Sequence, residues 1–123
     1  MILVDTSVWA DHLRAPDEQM SALLSERSVT IHPFVIGEIS VGNLHRRRAV
    51  LTSLAALPKA IVARDAEVLE FIEQHRLFGL GIGYVDIHLL VSASLTPETG
   101  LWTRDRRLHA AASRLGLVAR LAH

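Results

Sequence analysis

Met1-Ile2-Leu3-Val4-Asp5-Thr6-Ser7-Val8-Trp9 is the stretch on which the fold turns. Ile2, Leu3 and Val4 make a short, unbroken apolar run, the pattern of a strand buried on both faces of a parallel sheet, and the run stops at a carboxylate. Asp5 therefore falls at the carboxyl end of the strand. In an open α/β sheet that edge forms the ligand crevice, because strand ends and the loops that follow them meet there. Thr6 and Ser7 are good N-cap residues for the helix suggested by Val8, Trp9 and Leu13. An acid fixed at the end of a central strand is the first candidate for chemistry.

Outward from this stretch, helical and strand-like segments alternate. Pro16-Asp17-Glu18 starts a helix with apolar Met20, Leu23 and Leu24, and Val29 to His32 reads as a second strand closed by Pro33. Phe34 to Leu44 is helical and apolar on most sides, which predicts burial; His45 to Leu57 is a more amphipathic helix. Ala60 to Ala63 reads as a third strand, and Asp65 as the cap of a helix carrying Val68, Leu69 and Ile72. The glycines at 79, 81 and 83 mark a loop before a helix over Val85 to Leu95. Leu101-Trp102-Thr103 is a fourth strand that again runs into an acid, Asp105; Leu108 to Leu115 is the last helix and Leu117-Val118-Ala119 a fifth strand. This alternation implies right-handed βαβ crossovers: an α/β, three-layer α/β/α fold with a mostly parallel central sheet of about five strands.

The 123 residues fit one domain spanning 1–123, with 50% hydrophobic and 21% charged residues, a balance that excludes disorder. No cysteine is present, which removes disulfides, thiolate nucleophiles and sulfur-based zinc sites. The chain enters its first strand without a signal-like segment, and no apolar run approaches a membrane span, so the expectation is a soluble cytoplasmic protein with no membrane partner. The formal net charge is zero, so attraction to nucleic acid has to come from local clusters.

Four acids stand out. On a helix, Glu38 has Phe34, Val35, Val41 and Gly42 as its three- and four-residue neighbours, which places a carboxylate in the middle of an apolar face. It is either a costly inward acid or a surface residue on a less buried helix, paired with an arginine. Asp86 and Asp105 each precede or begin a helical segment, where an N-cap role is the ordinary explanation, and Asp5 has the same ambiguity. Their arrangement adds to this: two acids end strands, one begins a helix, and strand ends and helix starts share one edge of a parallel sheet. If the four converge, they cannot all stay ionised without a cation. Oxygen ligands select Mg²⁺ or Mn²⁺, and such a site suits hydrolysis of a phosphodiester by an activated water.

These residues also carry a resemblance. Ile2 to Trp9, the helix Pro33 to Gly42, Tyr84 to Leu90 and Leu101 to Leu108 resemble, in order and spacing, the PIN-domain ribonucleases of the VapC toxin type, over nearly the whole chain. The resemblance implies a metal-dependent endoribonuclease, the toxin of a type II toxin–antitoxin pair. It assigns Asp5, Glu38, Asp86 and Asp105 as the catalytic acids holding Mg²⁺ or Mn²⁺, with Thr6 and Thr103 as polar neighbours. It further implies an RNA substrate, a VapB-like antitoxin whose C-terminal segment fills the groove, and a homodimer. His88, Leu90 and Leu108 depart from the usual family pattern in ways that would alter the groove. The alternative is a catalytically degenerate module of the same fold that binds RNA or a protein.

Arg104, Arg106 and Arg107 flank Asp105 and read as phosphate contacts, whereas the consecutive Arg46, Arg47 and Arg48 point in different directions and read as a solvated face. With few exposed aromatics for base stacking, the shape of a folded RNA is the more natural target. The glycines at 79, 81 and 83 do not make a dinucleotide-binding loop, since Tyr84 takes the last glycine's place, and the seven histidines show no metal-type spacing. Transfer through an aspartyl-phosphate fits poorly: Ser7 stands where dehalogenase-like phosphatases need an acid, and Lys59 is the only lysine. Trp9 and Trp102 read as core or dimer contacts.

Overall fold

Ile2–Val4 forms strand β1, and all three side chains are buried. The structure, a computed structural model, describes residues 1–121, so the last two positions of the 1–123 span lie outside the described residues. β1 is the middle strand of a parallel sheet of order β2-β1-β3, in which β2 is Val29–Thr30 and β3 is Gly100–Trp102. Ile2 pairs with Val29 on one side and Gly100 on the other, and Leu3 with Thr30 and Leu101. The three strands run the same way, so Asp5, His32 and Thr103 emerge at one edge.

The sheet is smaller than the five strands expected. The segment at 60–63 forms no strand, a single parallel bridge joining the residue before it, Lys59, to Ile31, and 117–119 joins through one bridge, Leu101 to Val118. At the first edge Pro58 offers its carbonyl to Ile31 N at 2.9 Å, and Ala60 N returns a bond of 2.9 Å to Ile31 O. The next ladder bond would need an N–H at position 33, where Pro33 has none, so the chain leaves the ladder; Ile61 N, facing away from β2, donates to Thr96 Oγ1 at 2.9 Å, and Ile61 and Val62 are exposed. An apolar run alone cannot report that diversion. At the other edge, residues 117–119 lie so close to Gly100 that a Cβ there would stand 2.5 Å from Ala119 Cα.

Seven helices are assigned among the described residues: α1 Thr6–Arg14, α2 Glu18–Ser25, α3 Pro33–Ser40, α4 Arg47–Ala55, α5 Asp65–His75, α6 Tyr84–Leu95 and α7 Arg106–Arg114. α1 packs on α3 and α3 on α4, while α6 packs on β3, α5 and α7, which builds the α/β/α layering. Residues 87–93 of α6 are all buried, as befits a helix apolar all round. The helix start at Pro16-Asp17-Glu18 is present, with Asp17 Oδ1 accepting Met20 N at 2.8 Å.

Two helices differ from expectation. α3 ends at Ser40, whose hydroxyl bonds back to the Gly37 carbonyl at 2.7 Å just ahead of Gly42, and it buries only Val35 and Ile39. Of its other apolar residues Phe34 is exposed and Ile36 is partly buried against the core, while Val41, just past the helix, is 87% exposed. Asp65 does not cap α5: Arg64 is the N-cap, and its backbone N–H is bonded by Glu67 Oε1 at 3.0 Å. Leu69, expected on the apolar stripe, is exposed.

Replacing Gly100 by alanine is expected to destabilise the fold by about 1–3 kcal/mol, because backbone rather than a flexible side chain stands in the way. A lowered urea midpoint with an unchanged slope is the measurement.

Candidate active site

Asp5 follows β1 directly and is 4% exposed. Its backbone starts α1, yet its side chain makes no capping bond. Instead Oδ2 accepts the Ser7 hydroxyl and the Thr103 hydroxyl, each at 2.7 Å. Both hydroxyls are oriented by backbone donors, since Arg104 N reaches Ser7 Oγ and Asp105 N reaches Thr103 Oγ1, each at 3.0 Å. The first turn of α1 and the loop after β3 are thereby knotted around one carboxylate oxygen. No hydrogen bond engages Oδ1 among the described residues.

Glu38 is exposed on α3 and accepts the Thr6 hydroxyl on Oε1 at 2.7 Å. Of the two readings left open for Glu38 the surface one holds: α3 presents this side to the crevice and not to the core. Asp105 is exposed and does cap its helix, with Oδ1 accepting Leu108 N at 2.9 Å. Asp86 is not a cap, because Gly83 holds that position and Asp86 lies in the first turn of α6.

Asp86 is partly buried and receives no hydrogen bond among the described residues, whereas each of the other three acids accepts at least one. Its carboxyl is pushed up to about 6, first by burial and then by the negative charges of Asp5, Asp105 and Glu38. Asp5, Asp105 and Glu38 therefore all bear on Asp86 across the carboxyl edge of the sheet. Among the described residues, no three acidic or imidazole side chains form a ready-made metal cage. As a donor set the four carboxylates match a hard divalent cation, and the unrelieved repulsion on Asp86 is what such a cation neutralises.

The arginines separate into different roles. Arg104 pairs through Nη1 with Asp11, through Nη2 with Asp17 Oδ2 at 3.0 Å, and lies 5.7 Å over the Trp102 ring. Its fork is committed to α1 and to the cap of α2. Arg107 touches the Gly81 carbonyl at 3.4 Å, and Arg106 is exposed on the first turn of α7.

Ser7 was legible only as an N-cap residue. Its bond to Asp5 depends on the loop after β3, which sequence spacing does not locate. His88, expected to alter the groove, is 1% exposed, and Leu90 and Leu108 are likewise buried. His88 Nε2 lies 3.1 Å from Asp65 Oδ1, which also accepts the Tyr84 hydroxyl at 2.9 Å. His32 is fully buried, and burial together with the nearby His88 lowers it to about 4.

No family profile matches the chain. Two curated relatives, each named ribonuclease VapC32 and found in Mycobacterium tuberculosis strains CDC 1551 and H37Rv, are 45% identical over 118 residues, 96% of this chain and 95% of theirs.

The Asp86 shift sets a pH dependence. A carboxyl whose folded value is about 6 binds a proton more tightly folded than unfolded, so stability declines as pH rises from about 4 through 6. In EDTA the expected loss is about 1–2 kcal/mol after allowance for partial solvent exposure. His32, held down to about 4, contributes the opposite slope over the same window, so the Asp86 effect is read as a difference: from pH 4 to 6 the urea midpoint of Asp86→Asn should rise relative to that of the native chain.

Proposed function

The chain belongs to the VapC-type toxin ribonucleases, and from that premise we propose that it is a divalent-metal-dependent endoribonuclease, the toxin of a type II toxin–antitoxin pair. The observation that carries the metal dependence is Asp86, partly buried without a hydrogen-bond donor and facing three further acids. Asp5, Glu38, Asp86 and Asp105 would hold Mg²⁺ or Mn²⁺. When bound, such an ion neutralises phosphoryl oxygens and acidifies a water for in-line attack.

The protein's own part is orientation and charge. Ser7 and Thr103 fix Asp5 through one oxygen, and Thr6 fixes Glu38 in the same manner. A hydroxyl donor holds a carboxylate without adding charge, so the full negative charge of the cluster is kept for the cation. Arg106 and Arg107, beside Asp105 at the start of α7, meet RNA phosphates. Arg104 serves there only when its pairs to Asp11 and Asp17 open.

The antitoxin's C-terminal segment would lie in the groove that leaves Glu38 between α1, α3 and α4. A cavity of 250 Å³ there is lined by Thr6, Leu13, Glu38, Leu44 and Val50. It shares Leu13 and Val50 with an apolar cavity of 420 Å³ reaching Trp9 and Leu24. A single domain, a homodimer and a cytoplasmic location complete the reading. No helix among the described residues is long and apolar enough to cross a membrane.

Cleavage of total cellular RNA into discrete fragments should require Mg²⁺ or Mn²⁺ and stop in EDTA. Folded Glu38→Gln and Asp86→Asn should each cleave about a hundredfold more slowly or worse, since even loss of an outer-shell partner of a metal costs about 10–100-fold. Metal and RNA binding without cleavage would replace this reading with the degenerate binding module. Cleavage unaffected by either substitution would identify a contaminant. A folded RNA should be cut faster than an unstructured oligonucleotide of the same sequence, and equal rates would exclude recognition by shape.

A further inference from the structure

Two buried nitrogens between α3 and α6 lack a partner among the described residues: His32 Nε2 and His88 Nδ1. Their hydrogen-bonding senses follow from the opposite ring atoms. His32 Nδ1 accepts Phe34 N at 3.0 Å, so the ring proton of the neutral imidazole is on Nε2. His88 Nε2 faces the Asp65 carboxylate at 3.1 Å and donates to it, which leaves Nδ1 as a bare acceptor. One orphan is a donor and the other an acceptor.

The ring centroids stand 6.2 Å apart, beyond the reach of a direct bond. The Phe34 ring stands 5.0 Å from His32 and 4.8 Å from His88, and the Tyr84 ring 4.9 Å from His88. Buried polar atoms of opposite sense, on rings too far apart to bond directly, are the setting in which an internal water is held.

We propose that His32 and His88 are positioning residues: one water held between His32 Nε2–H and His88 Nδ1 ties the start of α3 to α6 and so sets Glu38 against Asp86. His32 is the N-cap of α3, and Glu38 lies six residues on in that helix; His88 lies two residues after Asp86 on α6. These helices carry the two acids that no strand end positions. The link continues through His88 to Asp65 at the start of α5, so three elements are registered by one buried polar chain.

The activity arm of the test rests on the proposed nuclease function; the structural arm does not. In the full-length protein without metal or RNA, long-range ¹⁵N–¹H spectra should show His32 protonated on Nε2 alone, with a cross-peak from that proton to a bound water. A proton on His32 Nδ1, or no water cross-peak, overturns the proposal even if the protein is a nuclease.

For activity, His32→Asn keeps an acceptor for Phe34 N, and His88→Gln keeps a polar group near Asp65, yet each removes the bridge. Each should lower kcat about tenfold with KM for RNA unchanged, and the double variant should be no slower than either single one. His88→Asn, whose carbonyl takes the place of Nδ1, should recover most of the rate. Multiplying losses in the double variant, a change in KM alone, or His88→Asn as slow as His88→Gln would each overturn it. If the wild-type chain cuts no RNA, the function fails while the spectra still decide the bridge.

Discussion

Asp5 is a carboxylate with 4% exposure at the end of a central strand, a position that an isolated charge does not tolerate. Two hydroxyls donate to the same oxygen, and both are held by amides of the loop after β3. The anion is thus solvated by the protein, and that solvation joins the first turn of α1 to the end of β3. The separation of the strand edge from the loop that carries Asp105 is fixed by these bonds. Charge-assisted hydrogen bonds of this kind are stronger than neutral ones and orient their acceptor. Without them the other acids would have no fixed point to gather around.

Asp86 shows the opposite treatment. It is partly buried, has no donor among the described residues, and feels three like charges, so its carboxyl is pushed up to about 6. Two adjacent carboxylates with such different environments are seldom arranged for folding alone, because the unrelieved repulsion lowers stability. The cation proposed for this site would offset that repulsion, with its donors on elements that the sheet holds together. Asp105 combines both roles, capping α7 through one oxygen while its charge reaches Asp86.

The cationic surroundings are similarly divided between architecture and substrate. Arg104 bridges Asp11 and Asp17 and stacks on Trp102, which braces the loop between β3 and α7 against α1 and α2. Asp17 at the same time caps α2, so one arginine couples the start of that helix to the site edge. Arg106 is exposed on the first turn of α7, and Arg107 donates to the Gly81 carbonyl.

By itself the sequence determined the strand that ends in Asp5, the alternation that makes an α/β/α fold and the exposed arginines that follow β3. These are local properties: an apolar run, a turn residue or a charge has the same meaning wherever the chain goes next. The tertiary structure decided what depends on neighbours distant in sequence. It ended the pairing of β2 at a single bridge to Lys59 because Pro33 has no amide to continue it, and it turned Glu38 outward because α3 buries the face of Val35 and Ile39 instead. It gave Ser7 to Asp5 rather than to a helix cap, committed Arg104 to two aspartates, and buried His88 opposite His32. A side chain's role at such positions is set by which donor, acceptor or charge arrives from another element, and spacing along the chain does not encode that arrival.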